Sequence, residues 1–180
     1  MSRRGLKWLR GPKVFYLLLG VTLLLGTGCR TGSGTLDPGL SLGPSLGLDQ
    51  SVVFQRALRA EPGTSKLEKA RIDYLLERVR NSPYNFIRNG SRYTGKQAEA
   101  HFRWKYSFSV KRVKTAEDFI VWIATRSKLS GHPYFVEFLD KRRSLLRGLL
   151  TSELEHFDQA LQSEREAAQA LQTADAQSNG

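Results

Sequence analysis

The stretch "YNFIRNGSRYTGKQAEAHFRWKY", Tyr84 to Tyr106, decides the fold class. Phe86-Ile87-Arg88 and Ser91-Arg92-Tyr93 flank Asn89-Gly90, the dipeptide that best tolerates the positive φ angles of a type I′ turn. The segment therefore predicts a short β-hairpin. Directly after it, Thr94 and Gln97 stand three apart. At that spacing the hydroxyl and the amide each satisfy a free backbone N–H at a helix start. A helix beginning there lines up Ala98, His101, Phe102, Lys105 and Tyr106 on one side, with Arg103 about 100° around the axis.

Working outward, Ser65 and Glu68 repeat the capping spacing ahead of Ile72, Leu75, Leu76 and Val79, a stripe at i, i+3, i+4, i+7. This helix should end near Asn81, because Pro83 disfavours helical geometry in the residue before it. Thr115 with Asp118 starts a third helix through "AEDFIVWIATRS". That helix is apolar nearly all round, so Trp122, with Val121, is either central or part of a partner patch; Trp104 also falls outside the expected core stripes. Gly131 and Pro133 break the chain before "YFVEF", a third short strand able to join the hairpin. Leu146, Leu149, Leu150, Leu154, Phe157 and Leu161 then mark a long amphipathic helix that fades after about Gln172, leaving residues 173–180 as a disordered tail. The expected architecture is α+β and mostly helical, with about four helices, the hairpin around Asn89-Gly90 and one further strand.

The N-terminus reads as an export signal. Arg3, Arg4, Lys7, Arg10 and Lys13 precede a 12-residue apolar run, Val14 to Leu25. A membrane span needs about 20 apolar residues, so a signal peptide, residues 1–28, is the better reading. The run ends in Leu25-Gly26-Thr27-Gly28-Cys29, which resembles the lipobox of bacterial lipoproteins. Cys29 is the one cysteine of the chain and becomes the expected lipid attachment site; ordinary cleavage, with Cys29 a free thiol, is the alternative. Arg30 in place of aspartate after the cysteine favours, by resemblance to the enteric sorting rule, the outer membrane facing the periplasm. With Cys29 lipidated, the folded part has no thiol for disulfides, cysteine catalysis or thiolate metal sites. Residues 29–50, rich in Gly, Ser and Pro, read as a flexible tether, and 51–172 as one domain.

The chain carries 28 Lys and Arg against 17 Asp and Glu, unevenly spread. Residues 66–147 hold 19 bases and 8 acids, and residues 148–180 one base and six acids. Such asymmetry marks an interaction surface, or an acidic helix folded back on a basic core.

Five blocks, "FIRNG", "HFRWKY", "KTAEDFI", "IATRS" and "SGHPY", occur in one order between Ile72 and Val136. They resemble the YfeK-like family of small bacterial envelope proteins. The family's A-x-x-H-L-R-x-K block becomes Ala98, His101, Phe102, Arg103 and Lys105, and its Ser-Ser pair becomes Ser127-Lys128. The resemblance implies export and a shared fold, and no activity.

Arg88, before the turn, is expected to project toward the His101 helix, giving a candidate basic notch of Arg88, His101 and Lys105 for a carboxylate or phosphate, with Asn89 and Arg103 as further candidate ligand-binding residues. The structural alternative is an internal salt bridge to Glu117 or Asp118. His101, His132 and His156 show no metal-ligand spacing, and neither a G-x-S-x-G turn nor a phosphate loop is present. No cofactor or metal is expected. The address and the weak catalytic signals favour a non-enzymatic lipoprotein of the cell envelope, an interaction or accessory module with an envelope protein or anionic polymer as partner. An anion-binding module and an unrecognised hydrolase are the alternatives, and nucleic acid is disfavoured as a partner for an exported chain.

Overall fold

The computed structural model describes residues 41–44, 47–48 and 51–178. The expected signal peptide, Cys29 and the first part of the tether lie outside the described residues. Helix α1 (Val52–Leu58) is followed by α2 (Ser65–Asn81), β1 (Asn85–Arg88), β2 (Ser91–Tyr93) and α3 (Gly95–Ser107). Helix α4 (Ala116–Phe119) continues as a π-helical segment (Ile120–Ala124), and β3 (Phe135–Glu137), β4 (Arg143–Leu145) and α5 (Leu146–Ser178) complete the order. The mostly helical α+β reading holds.

The turn chemistry expected at Asn89-Gly90 is present. Both residues have positive φ, 49° and 81°, and Arg88 pairs with Ser91, which leaves a two-residue loop of the primed type. Strand β3 adds to β1 antiparallel, with Phe86 opposite Val136, and β4 adds to β3, giving the order β2-β1-β3-β4. Strand β4 went unread because "RSL" is three residues long and carries no alternating apolar pattern. Glu137 on β3 lies between Arg92 of β2 and Arg143 of β4, with contacts of 2.7 and 2.8 Å. Arg92 and then Arg143 hold its carboxyl down at about 2, the two guanidinium groups covering it rather than the core.

Helix α3 begins with the capping box expected at Thr94 and Gln97, and α4 with the one expected at Thr115 and Asp118. At α2 the cap is one residue earlier than the spacing suggested. Thr64, not Ser65, accepts from Leu67 N–H, and Glu68 instead accepts from Arg71 and from the N–H of Ala116. Gly95, the first residue of α3, lies so close to the end of α2 that a Cβ would come within 3.0 Å of the carbonyl oxygens of Val79, Arg80 and Ser82.

The core lies between α1, α2, the α4–π segment and α5. Leu75, Leu76 and Val79 of α2 share one buried cluster with the apolar face of α5, Leu146, Leu149, Leu150, Leu154, Phe157 and Leu161. Phe157 stacks on Tyr74 at 4.4 Å and meets Phe54 of α1 edge-on at 5.5 Å. Helix α5 runs to Ser178, past the expected fade at Gln172, with residues 166–177 exposed, so a disordered tail does not begin at 173. Of its six acids, Asp158 pairs with Arg71 and Glu153 with Arg78, so the acidic helix does fold back onto α2.

The Arg78–Glu153 pair reaches further. Arg78 donates to both carboxylate oxygens at 2.7 and 3.0 Å, and to the carbonyls of Gly43 and Pro44 at 2.6 and 3.0 Å. Glu153 also accepts from Leu42 N–H and Tyr74 O–H. Leu42 is itself in the core at 1% exposure. The flexible stretch expected through residue 50 thus excludes residues 42–44, which are fastened by groups no local composition reveals.

Removing one partner of a buried, fully bonded ion pair strands the other charge. Glu153→Ala is expected to lower unfolding free energy by about 3–5 kcal/mol. Urea denaturation of the two chains measures it.

Candidate functional site

A cleft of about 320 Å³ opens between the hairpin and α3. Phe86 and Ile87 of β1, Ala98 and Phe102 of α3, Tyr134 and Leu146 give it apolar walls, while Arg88, His101 and Gln97 bring polar groups to it. The local sequence accounts for this placement. Phe86 and Ile87 are adjacent buried residues of β1, and both contribute to the wall. His101 and Phe102 follow Ala98 on the inward side of α3, where the small Ala98 leaves space that a larger side chain would fill.

Two nitrogens in this region have no partner. Arg88 Nε and His101 Nε2 are buried and make no hydrogen bond. Burial without a partner costs about 1–3 kcal/mol for a neutral group and more for a charged one. Neither carboxylate expected as an internal partner is here. Glu117 binds Arg71 of α2, and Asp118 closes its own helix cap on the N–H groups of Lys114 and Thr115. Among the described residues no carboxylate pairs with Arg88 or His101. Burial, then Arg88, then Lys105 push the His101 pKa below its ordinary value, so the neutral imidazole is favoured near neutral pH. Its ring lies 6.0 Å from Trp104 and 6.4 Å from Tyr134.

The remaining residues of the expected notch are placed otherwise. Lys105 turns inward, 5% exposed, and its ammonium donates to the carbonyls of Ile123 and, at 3.1 Å, Arg126, with the Tyr134 hydroxyl 3.4 Å away. It satisfies carbonyls that the end of the π segment leaves free, as a cation at a helix C-terminus does. Burial, then Lys128 and Arg88, push its pKa down to about 8. Lys105 is thus a structural cap and not a free ligand-binding charge. Arg103 is exposed, bonds Glu99 at 2.7 Å and does not line the cleft. Asn89 is spent on the turn, where its side-chain oxygen accepts from Ser130 at 2.6 Å. The structure brings together Arg88 and His101 out of the five. Tyr134 and Gln97 were missed; the "SGHPY" block carried the only sequence signal for Tyr134.

The model of a family described as "Family of unknown function (DUF5329)" matches residues 66–158, which is more than half of the chain and includes Arg88, His101 and Tyr134. The chain belongs to this family. It is similar to the uncharacterized protein YfeK of Salmonella typhimurium, 35% identical over 68 residues. That similarity covers 37% of this chain and 57% of that protein, so the chain spans less than two thirds of the relative's length. No solved structure matches. Among the described residues no helix is long and apolar enough to cross a membrane.

After burial, the charge on Arg88 is the next cause that lowers the His101 pKa. Arg88→Gln removes a like charge, so the His101 midpoint, below the ordinary histidine value in the wild type, is expected to rise. Imidazole proton shifts followed by NMR against pH measure both midpoints.

Proposed function

We propose that the protein is an exported lipoprotein, held on a bacterial membrane through Cys29, and that its folded part is a non-enzymatic binding module of the cell envelope. The module's ligand is an organic anion with an apolar body. One observation carries this reading. Arg88 Nε and His101 Nε2 are both unpartnered beside a cleft whose other walls are apolar. A carboxylate or phosphate accepting from Arg88 would receive charge-assisted hydrogen bonds, and the attached apolar group would displace water from Phe86, Ile87 and Phe102. The cleft lining also supports a binding role over a catalytic one. Among the described residues its lining has no Ser, Thr, Cys, Asp or Glu side chain, so His101 has no carboxylate there to orient it.

The anchor is tested by metabolic labelling with a fatty-acid analogue. The wild-type chain is expected to take the label and sediment with membranes, whereas Cys29→Ser is expected to do neither. Equal labelling of the two would remove the anchor from the reading.

The cleft is tested with decanoate, decanol and inorganic phosphate as probes, followed by NMR shifts at His101. Decanoate should bind, with decanol and phosphate each much weaker. Arg88→Gln should weaken decanoate about tenfold or more, as the loss of a hydrogen bond to a charged group implies. Equal affinity for decanol and decanoate, or no shift at His101, would overturn the assignment.

A further inference from the structure

The turn between α3 and α4, residues 107–114, reads "SFSVKRVK". It is well tied internally: Ser109 N–H donates to Tyr106 O, and the N–H groups of Arg112 and Val113 both donate to Ser109 O. Val113 is buried and pins the turn to the core. Held this way, the turn exposes Phe108 at 76% and Val110 at 52%. Trp104, one turn back on α3, is 60% exposed and meets Phe108 edge-on at 5.3 Å. Trp122, on the π segment, is 42% exposed, and the Arg112 guanidinium lies 3.5 Å from its ring centroid. Two indoles, a phenyl ring and a valine thus gather about one ordered turn that carries Lys111, Arg112 and Lys114 and no acid.

We infer that this turn is a contact surface for an anionic lipid bilayer. Indole and phenyl groups beside Lys and Arg are the composition that settles at the boundary between headgroups and acyl chains. The bases identify the occupant. Protein interfaces are depleted of lysine, and a second copy would present the same positive charges to this patch. An anionic headgroup layer attracts them, each base near the surface contributing about fivefold in binding. The contact is separate from the lipid on Cys29 and does not depend on it. Trp104 stacks 6.0 Å from His101, which places this surface at the border of the cleft.

Tryptophan emission reads the contact, since Trp8, Trp104 and Trp122 are the three tryptophans and Trp8→Phe leaves the two of interest. The full chain with Trp8→Phe is reconstituted into vesicles of phosphatidylglycerol or of phosphatidylcholine. The lipids carry bromine near the top of their acyl chains. Emission is expected to shift to the blue and be quenched in phosphatidylglycerol, and much less in phosphatidylcholine. Lys111→Glu with Lys114→Glu leaves the Arg112–Trp122 stack in place and should weaken the contact by at least about twenty-five-fold, two bases at about fivefold each. Phe108→Ser with Val110→Ser should keep the preference for phosphatidylglycerol but reduce quenching. All four residues are exposed, and circular dichroism checks that the variants fold. Equal quenching in the two lipids, or quenching untouched by the charge reversal, would overturn the inference. So would a blue shift that grows with protein concentration without lipid, which would make a second copy the occupant.

Discussion

The Arg78–Glu153 pair is the contact on which the rest of the arrangement depends. Two opposite charges taken out of water repay their desolvation only when nearly every donor and acceptor is used. Here the pair achieves that by drawing in residues 42–44, through the Leu42 N–H and the carbonyls of residues 43 and 44, and the Tyr74 hydroxyl of α2. Helix α2 is fixed against α5 by this set together with the Arg71–Asp158 pair, and Arg71 also reaches Glu117 of α4. The fixed end of α2 then receives α3 at Gly95, and α3 carries one wall of the cleft. A geometry that looks local to Arg88 and His101 therefore depends on a polar cluster between α2 and α5.

What the sequence made legible was the short-range chemistry. The positive φ pair at Asn89-Gly90, the Thr94–Gln97 and Thr115–Asp118 boxes, and the heptad-like stripe of α5 are each decided within a few residues, and each was readable. Helix α1 was not, because seven residues give too little of a period to read and its stability comes from Phe54 meeting Phe157 and from Arg165 capping its carbonyls across 108 positions. Leu42 sat in a Gly/Ser/Pro stretch whose composition argued for a tether, and its burial comes from Glu153, 111 positions away. At the site, the helix face correctly brought His101 toward Arg88. It could not show that Lys105 ends under the π segment, since a widened helix turn exposes carbonyls no spacing rule anticipates.

The basic excess of residues 66–147 divides into charges with different duties. Arg71, Arg78, Arg92, Arg143 and Lys105 are committed to carboxylates or carbonyls within the fold. Among the described residues Arg88, Lys111 and Arg112 have no carboxylate partner, and they lie at the cleft and on the aromatic turn. Net charge alone would have given both groups the same meaning. The division follows from whether an acid lies within reach after folding, as Glu137 does for two arginines and as Glu117 does not for Arg88.

Gly95 carries a consequence for recognising further chains of this kind. Because three carbonyl oxygens of the preceding helix occupy the space of a Cβ, the position accepts a hydrogen and nothing larger without prising α3 away from α2. A sequence with the Asn-Gly turn and the Thr-x-x-Gln box but a side chain directly after the threonine would have to hold its helix farther out, and its cleft would have a different width. One glycine therefore sets how closely α3 approaches α2, and through α3 the position of one wall of the cleft.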